Sequence, residues 1–292
     1  MATISLIGPG AIGCTLLGSL SRNRQHTLAA VARTPFDRLV VETDQTALEA
    51  EVKVITQAEQ IAGPSEWILV CVKTYDFSSA IPWIDRLSGP ESKVAIIQNG
   101  IEHMDRVPGN ATWSGVVPVI IDCPVERIGP GHVRQRGPVR MTVPDNAAGR
   151  EFRQLCDGTG MTVKTTDDWT TVAWRKLCLN AIGAINAVVD LPVGIIHLPE
   201  IENLARAVAE EVVAVGRACG ARIDSSLAEE VVNKSLHAPR NAVNSIHADR
   251  AAGRPMEIDA RNGVIVRLGK KHGIPTPRNE TLVALLEALA NQ

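Results

Sequence analysis

A glycine-rich turn near the start of the chain constrains its fold most. The apolar run Ile4 to Ile7 leads into Gly8-Pro9-Gly10-Ala11-Ile12-Gly13, and helix-compatible sequence follows. In such a turn the first glycine makes the bend tight, the second clears room for a pyrophosphate and the third lets helix and strand pack. The amide groups at the helix start then face the anion. The pattern predicts a dinucleotide-binding turn, with an ordinary strand-to-helix connection as the alternative.

The next apolar run bears on which dinucleotide is bound. Thr27 to Val31 is typical of a second strand, and Arg33 follows it about twenty residues after the last glycine, where an acidic residue would indicate NAD. A guanidinium at this point can pair with a 2′-phosphate, so the sequence favours NADP (NADPH), with Arg38 as a second candidate contact. The alternative is that Arg33 is a solvated loop residue.

Composition narrows the classes of partner. The 292 residues are 45% hydrophobic and carry a formal net charge of −2, without an obvious basic face or acidic tail. Neither nucleic acid nor a membrane is therefore an expected partner. The amino terminus enters the first strand without a basic region or cleavage site, and no apolar stretch is judged long enough to cross a membrane. These features predict a cytoplasmic protein.

Cysteines and histidines give no sign of a metal site. The six cysteines are scattered without a Cys-x-x-Cys pair, and the seven histidines form neither a helical pair nor a cluster with a cysteine. Reduced thiols and no bound metal are therefore expected.

The first half of the chain has the rhythm of a nucleotide-binding α/β domain. Short apolar runs alternate with amphipathic stretches up to Gln98, which predicts a Rossmann-type, doubly wound, mostly parallel sheet. Between about 113 and 143, short strands separated by Gly-Pro turns predict an antiparallel extension at the sheet edge. A helix near 146–157 and a strand near 161–165 close this domain.

After Asp167 the pattern is helical throughout. Apolar spacing of about 3.6 residues recurs in several segments, which prolines interrupt. The expected domains are therefore an NADP-binding domain over residues 1–166 and a helical substrate-binding and catalytic domain over residues 167–292. Two such domains usually form an active site in the cleft between them. Apolar helix surface is compatible with a homodimer, although burial in the core explains the same residues.

One helix of the second half carries candidate chemistry. Lys176 and Asn180 are spaced so that their side chains project from the same face. If a hydride reaches a carbonyl carbon, the oxygen gains negative charge and needs a cation or a proton, and a partly buried lysine supplies both. The alternative is a surface lysine on an amphipathic helix.

Three further residues occupy positions where ligands commonly bind. Glu257 follows a proline and opens a helix, where a carboxylate either pairs with the helix dipole or bonds a hydroxyl of substrate or nicotinamide ribose. Lys73 and Asn99 end predicted parallel strands, the side of an open sheet where ligands bind. Simple turn formation or surface exposure is the alternative for both.

Together these segments resemble the ketopantoate reductase (2-dehydropantoate 2-reductase) family, in order and over nearly the whole chain. The matching segments are the glycine turn, Val72-Lys73, Asn99-Gly100, Trp174 to Asn180, Asn244 to Asp249, Glu257 to Asp259 with Asn262-Gly263, and Gly273 to Asn279. The resemblance implies reduction of a 2-oxo acid by NADPH, with ketopantoate the default substrate, on the route to pantothenate and coenzyme A.

The resemblance also implies residue roles. Lys176 would be the catalytic general acid, and Glu257 a second catalytic residue that contacts substrate and cofactor ribose. Asn180, Asn244 and Ser245 would bind the substrate, and Lys73 and Asn99 would lie near the nicotinamide. Two positions depart from the family: Ala184 replaces a second asparagine, and Asn244 stands where serine is frequent. Losing an amide that bonds substrate weakens selection for that substrate. In a regular helix Asn186 cannot replace the missing asparagine, although a bend at Gly183 or a shift of the helix would allow it.

Two other functions remain alternatives. A β-hydroxyacid dehydrogenase-like enzyme, or a paralogue acting on another oxo acid, would share the nucleotide domain, the helical domain and the lysine-asparagine pair. A cofactor-binding sensor would keep the nucleotide domain and lack turnover. Retention of Lys176, Asn180 and Glu257 favours an enzyme, and Ala184 leaves its substrate open.

Overall fold

The chain divides into two compact units. The computed structural model describes residues 2–111 and 113–291. The first unit runs to Gln98 and resumes over Glu102–Trp169, and the second contains Asn99–Ile101 and the chain from Thr170 onward. The sequence pattern places the division after residue 166 and does not single out residues 99–101, which belong here with the helical unit.

Strands dominate the first unit. The described strands are β1 (Thr3–Ile7), β2 (Thr27–Val31), β3 (Leu39–Glu42), β4 (Ala47–Ala50), β5 (Lys53–Ile55), β6 (Trp67–Val70), β7 (Lys93–Ile97), β8 (Gly115–Asp122), β9 (Val125–Gly129), β10 (His132–Gln135), β11 (Arg140–Pro144) and β12 (Thr162–Thr166). Three helices accompany them, α1 (Ala11–Leu20), α2 (Phe77–Leu87) and α3 (Ala147–Leu155).

The central sheet has eight strands in the order β12-β11-β8-β7-β6-β1-β2-β5. The strands from β8 to β5 run parallel, β11 is antiparallel to β8, and β12 is parallel to β11. Alternating side chains of β1 serve both faces, because Ile4 and Leu6 pack in one apolar cluster with α1 and Ile7 packs in another with α2. The predicted α/β class is confirmed.

A second sheet of four strands was not predicted from the sequence. Its strand order is β4-β3-β10-β9. The hairpin β9–β10 therefore belongs to this second sheet, whereas β11 and β12 extend the edge of the main sheet. The apolar residues Leu39, Val41 and Val133 of this sheet pack in the cluster that contains α1. Burial of these side chains over α1 explains why the segment forms its own layer. The prediction that all of residues 113–143 extend the sheet edge was therefore wrong for β9 and β10.

The second unit is built from helices, as its sequence predicts. They are α4 (Trp169–Ile182), whose first residue belongs to the first unit, α5 (Ala184–Val189), α6 (Pro199–Ala218), α7 (Leu227–Leu236), α8 (Ser245–Ala251), α9 (Val264–His272) and α10 (Pro277–Ala290). A π-helical segment, Asp259–Gly263, runs directly into α9. Apolar residues of α4, α6, α7, α9 and α10 form one core.

One helical stretch of the described chain has the length and apolarity of a membrane span. Trp169–Val189 passes that test by composition, contrary to the expectation that no stretch would, but 67% of its apolar window is buried inside the fold. This burial is typical of the core helix of a globular protein.

Burial suppresses ionisation of several cysteine thiols. None of the six forms a disulfide. Burial raises the pKa of Cys14 to about 11 and the pKa values of Cys156 and Cys178 to about 12, so these thiols stay protonated near neutral pH. Among the described residues, no group of three or more His, Cys, Asp or Glu side chains could hold a metal ion.

Candidate active site

The turn between β1 and α1 has the form that a pyrophosphate requires. Gly8 has a φ of +87°, and a Cβ there would lie 2.8 Å from the amide nitrogen of Val72. A Cβ on Gly13 would lie 2.5 Å from the carbonyl oxygen of Gly8, whereas one on Gly10 would meet nothing within 4 Å. The helix begins without a side-chain cap or an acidic residue in its first turn. The residues present therefore fit a dinucleotide phosphate.

Three candidate cofactor contacts lie at one edge of the central sheet. Gly8, Arg33 and Lys73 follow β1, β2 and β6, which are parallel neighbours, so all three stand at the carboxyl edge. The Arg33 side chain is 88% exposed, and its guanidinium lies 3.2 Å from the carboxylate of Asp76. Because an exposed ion pair contributes little stability, Arg33 can exchange this partner for a phosphate.

Arg38, the second candidate for the 2′-phosphate, pairs elsewhere. Its Nη1 donates to Oε2 of Glu49 at 3.1 Å, across the β3–β4 hairpin that the sequence pattern did not predict. Both side chains are exposed. The structure thus gives Arg38 a role in the small sheet.

Within the helical unit, residues far apart in sequence form one hydrogen-bonded chain. Asn99 donates from Nδ2 to Oε2 of Glu257 at 2.9 Å, and its Oδ1 accepts from Nδ2 of Asn180 at 3.3 Å. Glu257 and Asn180 are buried, and Lys176, one turn before Asn180 on α4, is half-buried. The fold brings Asn99, Asn180 and Glu257 together, with Lys176 on the same helix.

Arg261 extends this chain to Ser245. The Arg261 side chain is buried, and its Nη2 donates to the carbonyl oxygen of Asn180 at 3.0 Å. Its Nη1 donates to Oγ of Ser245 at 3.3 Å. Ser245 is itself exposed at the start of α8. A guanidinium that sequence reasoning did not single out therefore connects two candidate substrate ligands.

Side chains hold the junction of α4 and α5 by its carbonyl groups. Arg261 and the adjacent Asn262 donate to the successive carbonyls of Asn180 and Ala181, the second at 3.2 Å. Both donors belong to the π-helical segment. Such wide turns are frequent at functional sites. Here the segment directs two neighbouring side chains to the same helix.

Asn244 is already engaged at this junction. Its Nδ2 donates to the carbonyl of Gly183 at 3.1 Å and to Oδ1 of Asn186 at 3.0 Å, and its Oδ1 caps α8 by accepting from the amide of His247. A Cβ on Gly183 would lie 3.1 Å from that Nδ2, so the glycine permits the close approach. Asn244 is therefore placed to support the site from behind Ser245.

Position 184 presents no polar group. Ala184 is fully buried and begins α5 after the break at Gly183. Asn186 does not supply the missing amide, because its Nδ2 donates to the carbonyl of Leu191 at 3.0 Å and its Oδ1 accepts from Asn244. The helix break that could have redirected Asn186 is present, but the side chain is used within the fold.

Sequence reasoning missed a second buried polar group beside the site. Asn262 donates to Oδ1 of Asn279 at 2.9 Å, and Asn279 donates to Oε2 of Glu211 at 2.7 Å. The Glu211 carboxylate also accepts from the backbone amides of Arg278 and Asn279 at the start of α10. Asn262 and Asn279 lie in segments that resemble the family, but neither the resemblance nor the spacing reveals their burial or the bond to Glu211.

Comparison with known proteins shows the family of the chain. The model of ketopantoate reductase PanE/ApbA matches residues 4–148, and that of its C-terminal part matches residues 168–290. The chain belongs to the ketopantoate reductase family. A 2-dehydropantoate 2-reductase of Caulobacter vibrioides is 44% identical, with 99% of this chain and 100% of that protein covered. One from Mycobacterium tuberculosis is 37% identical, with coverage of 100% and 99%.

Solved structures of ketopantoate reductases share the fold. The PanE/ApbA family ketopantoate reductase from Ralstonia eutropha superposes with a TM-score of 0.91 at 29% identity, covering 99% of this chain and 98% of that one. The family predicted from the sequence is thereby confirmed, and membership together with the nucleotide-binding fold implies a nicotinamide cofactor.

Proposed function

We propose that this chain is an oxidoreductase that reduces a small 2-oxo acid to the 2-hydroxy acid with NADPH, ketopantoate to pantoate being the default reaction. The hydrogen-bonded chain Glu257–Asn99–Asn180 beside the lysine-bearing helix carries the proposal. Its residues are those that the family resemblance assigns to substrate and nicotinamide. The 44% identity to a 2-dehydropantoate 2-reductase over its whole length supports the same reaction.

The residues divide the chemistry between them. When bound, the nicotinamide supplies the hydride that the 2-oxo carbon accepts. Lys176 stabilises the negative charge that develops on the oxygen and donates the proton that completes the hydroxyl group. Asn180, held by Asn99, orients the substrate, and Glu257 fixes Asn99 and accepts from a substrate or ribose hydroxyl. Ser245, with Asn244 behind it, binds the remaining polar end of the substrate.

The cofactor preference for NADP rests on Arg33. An exposed guanidinium after β2 fits a 2′-phosphate, and the dinucleotide turn supplies the amides for the pyrophosphate. Lys73 at the same sheet edge is a further contact of the cofactor. A cytoplasmic location and a homodimer remain predictions from the sequence.

A second substrate class is a related small 2-oxo acid. Ala184 favours it, because this position offers no amide to the hydroxyl group of ketopantoate and Asn186 does not replace it. Both candidates use the same cofactor and the same Lys176.

One assay tests the function and its substrate. NADPH oxidation is followed in the near ultraviolet with ketopantoate, with a panel of small 2-oxo acids, and with NADH in place of NADPH. Efficient NADPH-dependent turnover of ketopantoate is expected. Activity only on another acid would assign the chain to that substrate, and inactivity on all of them, with NADPH still bound, would favour a sensor.

A further inference from the structure

Arg261 is an unusual residue to find in the interior. Its side chain is 2% exposed, and arginine is rarely buried to this degree without a charged partner in direct contact. Its two terminal nitrogens bond the carbonyl of Asn180 and Oγ of Ser245, and within the described part of the chain its Nε has no hydrogen-bond partner. A buried donor left unsatisfied is costly, so the position calls for an explanation beyond packing.

The guanidinium remains charged at neutral pH. Burial lowers the pKa of Arg261 to about 10, and the carboxylates of Glu257 and Asp249 oppose that shift. Asp249 is itself paired with Arg254 at 3.0 Å, and Glu257 accepts from Asn99. The interior thus retains a positive charge directly behind the exposed Ser245.

The direction of the bond to Ser245 determines what the serine can do. A guanidinium only donates, so Oγ of Ser245 accepts from Arg261 and the serine hydroxyl keeps its own proton available for another acceptor. A hydroxyl that receives a charge-assisted hydrogen bond becomes a stronger donor. The Ser245 hydroxyl is thus an exposed donor next to the positive charge of Arg261. An anion is the acceptor that suits such a donor.

Arg250 shows what a purely structural arginine does in the same unit. Its Nη1 donates to the carbonyls of Ala187 and Val188 near the end of α5, the second at 2.7 Å. Arg261 instead divides its terminal nitrogens between a backbone carbonyl and an exposed hydroxyl. This difference makes Arg250 a matched control.

We propose that Arg261 is a positioning residue that makes Ser245 the carboxylate-recognising donor of the site, and that the pair selects 2-oxo acids over uncharged carbonyl compounds. This inference rests on the proposed function and adds to it the residue that sets selectivity for the acid group. In this arrangement Arg261 contributes charge through Ser245 without itself contacting the substrate.

The test compares ketopantoate with the lactone formed from it, which keeps the 2-oxo group and lacks both the carboxylate and the free hydroxyl group. For Arg261→Met, kcat/KM for the acid should fall by about 10- to 100-fold, the range for a hydrogen bond to a charged group. Turnover of the lactone should fall by a clearly smaller factor, because the lost bond to the Asn180 carbonyl affects both compounds and the lost support of Ser245 affects only the acid. Arg261→Lys, which keeps the charge, should recover part of the loss for the acid.

Ser245→Ala provides a second, independent variant. The side chain is exposed, so this protein should fold even if Arg261→Met does not. It should lose activity selectively on the acid, and adding Arg261→Met should cause little further loss, because the two residues act as one unit. Arg250→Met should change the acid and the lactone by the same factor. Equal losses on acid and lactone in Arg261→Met or Ser245→Ala would overturn the inference.

A binding measurement separates this inference from the proposed function. Wild-type inactivity on every 2-oxo acid would overturn the function, and calorimetric titration with pantoate and its lactone would then decide the role of Arg261. Preference of the wild type for pantoate that is lost in Arg261→Met and Ser245→Ala would support the inference. Equal affinity of the wild type for both compounds, or no binding of either, would contradict it.

Discussion

The amide of Asn99 donates a 2.9 Å hydrogen bond to Oε2 of Glu257, although 158 residues separate the two in sequence. The same Asn99 accepts from Asn180. Asn99 is therefore held in one orientation by a carboxylate on one side and an amide on the other. The orientation of the Asn99 side chain therefore depends on Glu257. The sequence alone explains this carboxylate equally well as a charge that stabilises the start of a helix.

Replacing Glu257 should impair turnover. Glu257→Ala removes the acceptor that orients Asn99, and kcat/KM for the 2-oxo acid should fall by about 10- to 100-fold, as expected for a hydrogen bond to a charged group. Glu257→Gln, which keeps an acceptor oxygen, should lose less. Steady-state kinetics checks both. Asp259→Asn is the control, since that carboxylate is exposed and pairs with Arg267. A Glu257→Ala enzyme as active as this control would contradict the assignment.

Lys176→Ala should lower kcat by about 10²- to 10⁴-fold, the range for loss of a general acid. Affinity for NADPH, measured by fluorescence titration, should stay nearly unchanged. Arg175→Ala is the control on the same helix, because its exposed guanidinium pairs with Glu230. Near-normal turnover of Lys176→Ala would remove this residue from the chemistry.

Arg33→Ala should weaken NADPH binding by about 10-fold or more and leave NADH binding nearly unchanged, because only NADPH offers a phosphate to the guanidinium. Asp76→Asn should act in the opposite direction, since it releases Arg33 from its ion pair. Dissociation constants for both cofactors provide the measurement. Arg38→Ala should have a smaller effect, given its pairing with Glu49. Equal losses for NADPH and NADH in Arg33→Ala would rule out the 2′-phosphate contact.

The glycines of the first turn should separate folding from cofactor binding. Gly10→Ala should unfold at nearly the wild-type temperature, because its Cβ meets nothing within 4 Å, yet bind NADPH more weakly, because the methyl group occupies space meant for the pyrophosphate. Gly13→Ala should lower the melting temperature, since its Cβ would lie 2.5 Å from the Gly8 carbonyl. Scanning calorimetry and cofactor titration check the two variants. Unchanged NADPH affinity in Gly10→Ala would contradict a pyrophosphate at this turn.

Asn279→Ala should destabilise the protein by about 2 kcal/mol, because it removes one hydrogen bond from the buried amide of Asn262 and one from the Glu211 carboxylate. Urea unfolding followed by circular dichroism measures this. Arg278→Ala is the neighbouring control, since Arg278 is exposed and uses only its backbone amide at Glu211. A urea unfolding midpoint for Asn279→Ala equal to that of Arg278→Ala would show that the Asn262–Asn279–Glu211 hydrogen bonds contribute nothing to stability.

Local signals predicted much of this fold. The Gly8-to-Gly13 turn depends on contacts within a few residues and on one neighbouring strand, so its sequence is diagnostic. The mostly parallel sheet and the helical second half follow from apolar periodicity. The separate sheet of β3, β4, β9 and β10 was not predicted, because its pairing joins segments far apart in the chain and only burial over α1 specifies it.

The site was predictable in part for the same reason. Lys176 and Asn180 lie on one helix, so their spacing alone places them on one face. Asn99 and Glu257 were singled out by their positions at a strand end and a helix start, and the family resemblance assigned their roles and added Ser245. Neither helical spacing nor the family resemblance singles out Arg261. Its burial depends on the carbonyl of Asn180 and the hydroxyl of Ser245, which come from two other elements. An arginine in a helical pattern otherwise predicts a solvated face.

The junction between α4 and α5 is held independently of the side chain at position 184. Side chains of Arg261, Asn262 and Asn244 hold it through backbone oxygens, which every amino acid provides. No bond in this framework uses the side chain at position 184. In the proposed site, a change at position 184 would therefore alter which substrate is accepted without breaking the bonds that hold the end of the helix that carries Lys176.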